Sequence, residues 1–173
     1  SEGVSEEKIT VTGNTVIDSL LWVRDKINKE NIVYEELQGI DFSKKIILVT
    51  GHRREKFGQA FEDFCQALKM VASRYPDIEI VYPVHLNPNV KKPVQKILCG
   101  IRNIKLIDPL NYAPFISLMD KSYFIITDSG GIQEEAPSLG KPILVTRDTT
   151  ERPEVLAAGA SKLVGTEIDA IVR

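Results

Sequence analysis

Six short runs rich in β-branched and aliphatic residues recur along this chain, and stretches with helical spacing separate them. The runs are Ile46–Thr50, Ile78–Pro83, Ile104–Ile107, Tyr123–Thr127, Ile143–Val145 and Lys162–Val164. In the first gap Phe61, Phe64, Leu68 and Val71 share one helical face, and in the second Val90, Val94, Ile97 and Leu98 do the same. Such alternation predicts β-α-β units. A run such as Ile46-Ile47-Leu48-Val49 has no polar face, as expected of a strand that helices cover on both sides of a parallel sheet. The expected fold class is therefore α/β, and right-handed crossovers bring the loop after each strand to one common edge.

That edge is chemically rich. The runs end in Thr50-Gly51-His52-Arg53-Arg54-Glu55, His85-Leu86-Asn87, Asp108, Asp128-Ser129-Gly130-Gly131 and Arg147-Asp148-Thr149-Thr150-Glu151-Arg152. Open α/β sheets bind their ligands beyond the carboxyl ends of the strands. Upstream, Val16, Leu20, Val23 and Ile27 predict a helix over 15–28 with Asn14 or Thr15 as its cap, and polar 29–43 reads as a connection. Pro137, Gly140, Pro142 and Pro153 predict short later helices.

A length of 173 residues suits one domain with an ordinary core. The net charge of −2 gives no support for a nucleic-acid partner, and no apolar stretch approaches the ~18 residues of a membrane span. Cys65 and Cys99 lack the spacing of a zinc or redox site and are expected to act as small buried hydrophobes in a reducing cytoplasm. The ending Ala170-Ile171-Val172-Arg173 reads as an unfinished helix, so the chain is expected to be a fragment.

In Asp128-Ser129-Gly130-Gly131 the glycines allow close approach of a ligand and positive φ, and the amides that open the next helix lack helical partners. A diphosphate suits that place. A plain capped turn fits the same residues, and the sequence is neither a P-loop nor Gly-x-Gly-x-x-Gly. Glu134 and Glu135 both fall in the first helical turn, where the dipole favours acids without function; one of them can instead accept hydrogen bonds from a ribose diol, and the sequence does not say which. Arg53 and Arg54 after the first strand suit phosphate oxygens, or a surface pair with Glu55 or Glu62. His52 and His85, the two histidines of the chain, both stand at strand ends, with a pKa suited to proton transfer or phosphate contact. Arg152 lies one βα unit beyond the glycine turn, within reach of the same pocket. Asp128 lacks the second aspartate at i+2 that an aspartyl-phosphate nucleophile needs.

Taken together, Val11-Thr12-Gly13-Asn14-Thr15-Val16-Ile17-Asp18, Gly51-His52-Arg53-Arg54-Glu55, Pro83-Val84-His85-Leu86-Asn87-Pro88, Thr127-Asp128-Ser129-Gly130-Gly131-Ile132-Gln133-Glu134-Glu135-Ala136-Pro137 and Arg152-Pro153-Glu154 resemble the non-hydrolysing UDP-N-acetylglucosamine 2-epimerases, in family order through almost the whole chain. The resemblance implies a two-domain glycosyltransferase-B-like enzyme. Of it, residues 1–14 are expected to form an interdomain segment and 15–173 most of the second, Rossmann-like domain, with helices on both faces of its parallel sheet and the final helices missing.

It further implies that Ser129, Gly130 and Gly131 meet the diphosphate of a UDP-sugar, that Glu135 meets the ribose, and that Arg152 and His52 lie around the phosphates, His52 as the catalytic candidate. His85 and Arg53 would line the cleft where some members bind a second, regulatory UDP-N-acetylglucosamine. The implied reaction eliminates UDP to a 2-acetamidoglucal and adds it back with C2 inverted, giving UDP-N-acetylmannosamine, without metal or cofactor, in a cytoplasmic homodimer. The family's acidic residues for proton transfer at C2 belong to the first domain, so this chain alone is expected to bind nucleotide without catalysis. A standalone nucleotide-sugar binding module and a glycosyltransferase domain of the same architecture are the alternatives.

Overall fold

The computed structural model describes residues 3–51, 57–165 and 167–172. Six parallel strands form one sheet: β1 (Lys45–Thr50), β2 (Ile78–Pro83), β3 (Ile104–Ile107), β4 (Phe124–Thr127), β5 (Ile143–Val145) and β6 (Ser161–Leu163), in the order β3-β2-β1-β4-β5-β6. The helices are α1 (Thr15–Glu30), α2 (Gln59–Arg74), α3 (Pro88–Leu98), α4 (Tyr112–Lys121), α5 (Gly130–Glu135), α6 (Pro153–Ala157) and α7 (Ile168–Val172). None of the described helices is long and apolar enough to cross a membrane.

Alternation along the strands divides the core into two layers. Ile47 and Val49 of β1 pack with Phe61, Phe64, Leu68 and Val71 of α2, Val90, Val94 and Leu98 of α3, and Ile171 of α7. Ile46 and Leu48 face the other way, toward Leu20 and Ile27 of α1 and Ile116, Leu118 and Met119 of α4. The all-apolar strand runs thus reflect burial on both faces, as the sequence predicts. Asn14, rather than Thr15, caps α1, its side chain accepting the Val16 N–H at 3.1 Å. Both α5 and α6 are short, and α5 runs on into a 3-10 turn, Ala136–Leu139, that ends at Gly140 in the left-handed region at φ 68°.

Three expectations need correction. Cys99 caps the end of α3 and is exposed, whereas Cys65 is buried and its thiol is pushed up to about 12, chiefly by desolvation. The connection after α1 is not merely solvated: it contains a 3-10 turn, Glu35–Leu37, and buries Leu37 and Ile40 against the α1 layer. Val16 lies on the exposed side of α1, outside the stripe that Leu20 and Ile27 bury.

The strand order has a direct consequence for function. β1 leads by crossover to β2, yet its other neighbour is β4, so connections leave the sheet centre in opposite directions. Ligands of such sheets bind at that switch point, outside the carboxyl ends. Here Thr50 pairs with Thr127, and their hydroxyls lie 2.6 Å apart.

Candidate functional site

The β4–α5 turn is built around side-chain caps. Ser129 is the N-cap of α5 and its Oγ accepts the Ile132 N–H at 3.5 Å, while the Ser129 N–H donates to Thr127 Oγ1 at 3.0 Å. Gly130 and Gly131 open the helix, where N–H groups lack helical acceptors. Neither adopts positive φ, contrary to one reason for expecting glycine here. Nor does crowding demand it. A Cβ on Gly130 would meet only Glu151 Oε2 at 3.9 Å, and one on Gly131 only Glu135 Oε1 at 3.6 Å and Ser129 Oγ at 3.9 Å. Glycine is the poorest helix former after proline, so the pair weakens α5 with no compensation inside the fold. An approaching ligand backbone or phosphate supplies the missing reason.

Around this turn stand three acidic and basic groups with different roles. Glu135 is half-buried and its carboxylate returns toward the glycines. Desolvation first, and the neighbouring Glu134 charge second, raise its pKa above the ordinary carboxylate range. Tyr112, at the start of α4, lies within electrostatic reach of Glu135, which adds to desolvation in raising the phenol's pKa. Glu134 instead accepts hydrogen bonds from Arg152 Nε and, at 2.7 Å, from Asn14 Nδ2. The two glutamates, equivalent in the sequence, are therefore distinct: one faces the glycine turn, the other the arginine.

Arg152 reaches the site because α5 carries the β5–α6 loop on its side. Gln133 is fully buried, donates from Nε2 to the Ser129 carbonyl at 3.1 Å and accepts the Thr150 hydroxyl at 2.5 Å. Thr150 Oγ1 in turn accepts the Arg152 N–H at 3.1 Å. Arg152 Nη1 donates to the Glu151 carbonyl at 2.9 Å, and Arg147 pairs Glu151 at 3.2 Å. Gln133 and Thr150 had no signal in the sequence, since neither stands in a periodic pattern or a motif of its own chemistry.

At the other side of the switch point, Gly51 follows β1. Tyr82, fully buried on β2, donates its hydroxyl to the Gly51 carbonyl at 2.8 Å, and a Cβ on Gly51 would lie 3.8 Å from Asp128 Oδ2. The loop that leaves Gly51 thus starts beside the glycine turn. His52 and Arg53 lie outside the described residues. His85 follows β2, which β1 separates from β4, and its Nδ1 accepts the Asn87 N–H at 3.1 Å. The structure therefore gathers Ser129, Gly130, Gly131, Glu135 and the Arg152 loop, and sets His85 one strand away. A concavity of about 590 Å³ bounded by Ser122, Tyr123, Lys141 and Pro142 lies at the opposite, amino edge of β4 and β5, far from this chemistry. Among the described residues no group of three or more His, Cys, Asp or Glu is placed to hold a metal.

With this geometry in place, comparison with known proteins is decisive. The family model of UDP-N-acetylglucosamine 2-epimerase matches residues 1–173. The chain belongs to this family. It is 58% identical over 175 residues to UDP-N-acetylglucosamine 2-epimerase of Escherichia coli strain K12, an alignment that covers 99% of this chain and 46% of that protein. The fold superimposes with a TM-score of 0.91 and 49% identity on the crystal structure of the Neisseria meningitidis epimerase bound to UDP-GlcNAc, covering 99% of this chain and 47% of the other. The Methanocaldococcus jannaschii epimerase in complex with UDP-GlcNAc and UDP gives a TM-score of 0.80 at 32% identity, covering 99% and 48%. The chain spans about half the length of the curated relatives it matches.

Proposed function

We propose that this chain supplies the UDP-binding half of a UDP-N-acetylglucosamine 2-epimerase, which interconverts UDP-N-acetylglucosamine and UDP-N-acetylmannosamine. The observation that carries the reading is the pair Gly130-Gly131, which no backbone conformation or packing contact requires, at the switch point of the sheet. Their amides and the Ser129 hydroxyl, which accepts from Ile132 and keeps its own proton to donate, cradle the diphosphate, Arg152 adds a guanidinium, and Glu135 accepts the ribose hydroxyls.

In the reaction a base removes the proton at C2 and the C1–O bond to UDP breaks, leaving 2-acetamidoglucal; re-addition of UDP at C1 with return of the proton to the other face of C2 inverts that centre. The groups of this chain act on the departing UDP. Fixed N–H donors and a guanidinium, already oriented, stabilise the negative charge that grows on the diphosphate as the bond breaks. His52, which follows Gly51 in the sequence, is suited to phosphate contact or proton transfer, and Arg53 and His85 are assigned to the cleft on the strength of the family resemblance. Acidic residues for the C2 proton come from the family's other domain, joined through residues 1–14, and the intact enzyme is a cytoplasmic homodimer.

Isothermal titration of the chain with UDP and with ADP tests the nucleotide reading. UDP should bind and ADP should bind markedly less well, and Arg152→Ala should weaken UDP. Equal affinity for the two nucleotides, or no heat with UDP, refutes it.

A further inference from the structure

The carboxylate of Glu134 joins three separate stretches of chain. One oxygen accepts from Arg152 Nε on the β5–α6 loop, and the other accepts from Asn14 Nδ2 at 2.7 Å. Asn14 is itself fixed, since its Oδ1 caps α1 by accepting the Val16 N–H at 3.1 Å. Glu134 thus measures the position of Arg152 against α5 on one side and against the beginning of α1 on the other.

Stability is a poor explanation for this arrangement. The Arg152 and Glu134 side chains retain 32% and 29% of their surface in solvent, and ion pairs of that exposure contribute little to folding. A bare dipole role fails too, because Glu134 lies beyond the first turn of α5, the turn in which the sequence places it and in which the dipole favours acids. What the contacts do achieve is order. Nε is held by Glu134, Nη1 by the Glu151 carbonyl, and the backbone N–H by Thr150, which Gln133 anchors. Among the described residues Arg152 Nη2 is left without a hydrogen-bond partner, so one edge of the guanidinium fork remains for an incoming oxyanion. A long side chain ordered before the ligand arrives does not have to be ordered by it.

We propose that Glu134 is a positioning residue of the nucleotide site, holding Arg152 so that its free edge serves the diphosphate and tying that arm to Asn14 at the start of α1. The proposal rests on the reading of Arg152 as a phosphate ligand. It assigns Glu134 no contact with the nucleotide itself.

The test is a set of titrations of the chain with UDP by calorimetry and with uridine by NMR shift. Glu134→Gln should weaken UDP by up to about tenfold, the order of loss expected when the ligand itself must order one long side chain, and should leave uridine, which has no phosphate, unchanged. In an Arg152→Ala background Glu134→Gln should have no further effect on UDP. Asn14→Ser, which keeps a capping oxygen but removes the donor to Glu134, should weaken UDP in the same sense with uridine again unchanged. Unaltered or tighter UDP binding by Glu134→Gln overturns the proposal, as does an equal loss for uridine or an additive loss on top of Arg152→Ala. A native chain in which Arg152→Ala leaves UDP affinity untouched overturns the phosphate reading of Arg152 itself, whatever Glu134 does.

Discussion

Replacing Gly130 or Gly131 with alanine should stabilise the fold and destroy its affinity for UDP, a combination that separates a ligand-imposed glycine from a structural one. On the side of the fold, the added Cβ makes ordinary contacts, at 3.9 Å from Glu151 Oε2 for Gly130 and at 3.6 Å from Glu135 Oε1 for Gly131. Both residues lie in α5 outside the positive-φ region, so alanine adopts their conformation without strain. The gain is about 0.4–1 kcal/mol per substitution, from the lower entropy of the unfolded chain and better helix propensity. For a chain of this size that is a rise of roughly 1–4 °C in melting temperature. On the side of the ligand, the methyl group occupies the approach to amides that must come within about 2.9 Å of phosphate oxygen. Losing two charge-assisted hydrogen bonds costs about 3 kcal/mol or more, on the order of a hundredfold in Kd. Thermal unfolding and UDP calorimetry on the same samples read both quantities. A Gly131→Ala protein that binds UDP like the native chain shows that the phosphates lie elsewhere, and one that melts lower shows that the glycines serve the fold.

Tyr82→Phe removes the buried donor to the Gly51 carbonyl and should cost about 1–3 kcal/mol in urea unfolding, the price of an unsatisfied buried acceptor, whereas no change would mean that water replaces the hydroxyl. Gln133→Leu fills the same buried space without either side-chain hydrogen bond; the Ser129 carbonyl keeps only the residue-133 backbone N–H, at 3.4 Å, and the Thr150 hydroxyl loses its acceptor, which should cost about 1–3 kcal/mol of stability, and UDP binding should weaken with it. Because the pKa of Glu135 is raised by folding, its contribution to stability is present below the ordinary carboxylate value and is lost as pH rises through the raised one; Glu135→Gln should flatten that part of the stability profile. The ribose contact has the opposite sign, since it needs the ionised carboxylate. The UDP affinity ratio of native chain to Glu135→Gln should grow with pH over the same window, and a ratio independent of pH would remove Glu135 from the ribose.

The strands were legible to within a residue because a strand buried on both faces leaves nothing polar to blur its ends. Ile78–Pro83, Ile104–Ile107 and Ile143–Val145 coincide with the observed bounds. Two strands start a residue away from the expected place: β6, at the edge of the sheet, begins at Ser161 rather than Lys162, and the central β4 at Phe124 because Tyr123 is largely exposed. The stretch after α1 misled because Leu37 and Ile40 are isolated apolar residues with no period, and only the surface they cover reveals their burial. Glu134 and Glu135 had equal standing in the sequence for a geometric reason. Adjacent helical residues point about 100° apart, so which of them faces the glycines depends on how α5 sits on the sheet. The motif had fixed the helix start without fixing that rotation.

The topology also explains why recognition of UDP and the remaining cleft chemistry divide as they do. Every described group proposed for the nucleotide falls between Thr127 and Arg152, in the β4-α5-β5-α6 half of the sheet, and it is α5 that organises them: its first turn offers the amides, Gln133 and Glu134 hold the Arg152 loop, and Glu135 turns back toward the glycines. The β1-α2-β2 half contributes through one seam, the Thr50–Thr127 contact and the Tyr82–Gly51 hydrogen bond, which fixes where the loop bearing His52 and Arg53 departs. Substitutions in the α5 unit should act on affinity for any uridine diphosphate, whereas those at His85 and in the loop after Gly51 should act on what is attached to it. Comparing UDP with UDP-N-acetylglucosamine for the two sets of variants separates the halves, and a His85→Ala chain that loses affinity for UDP and the UDP-sugar alike would break the division.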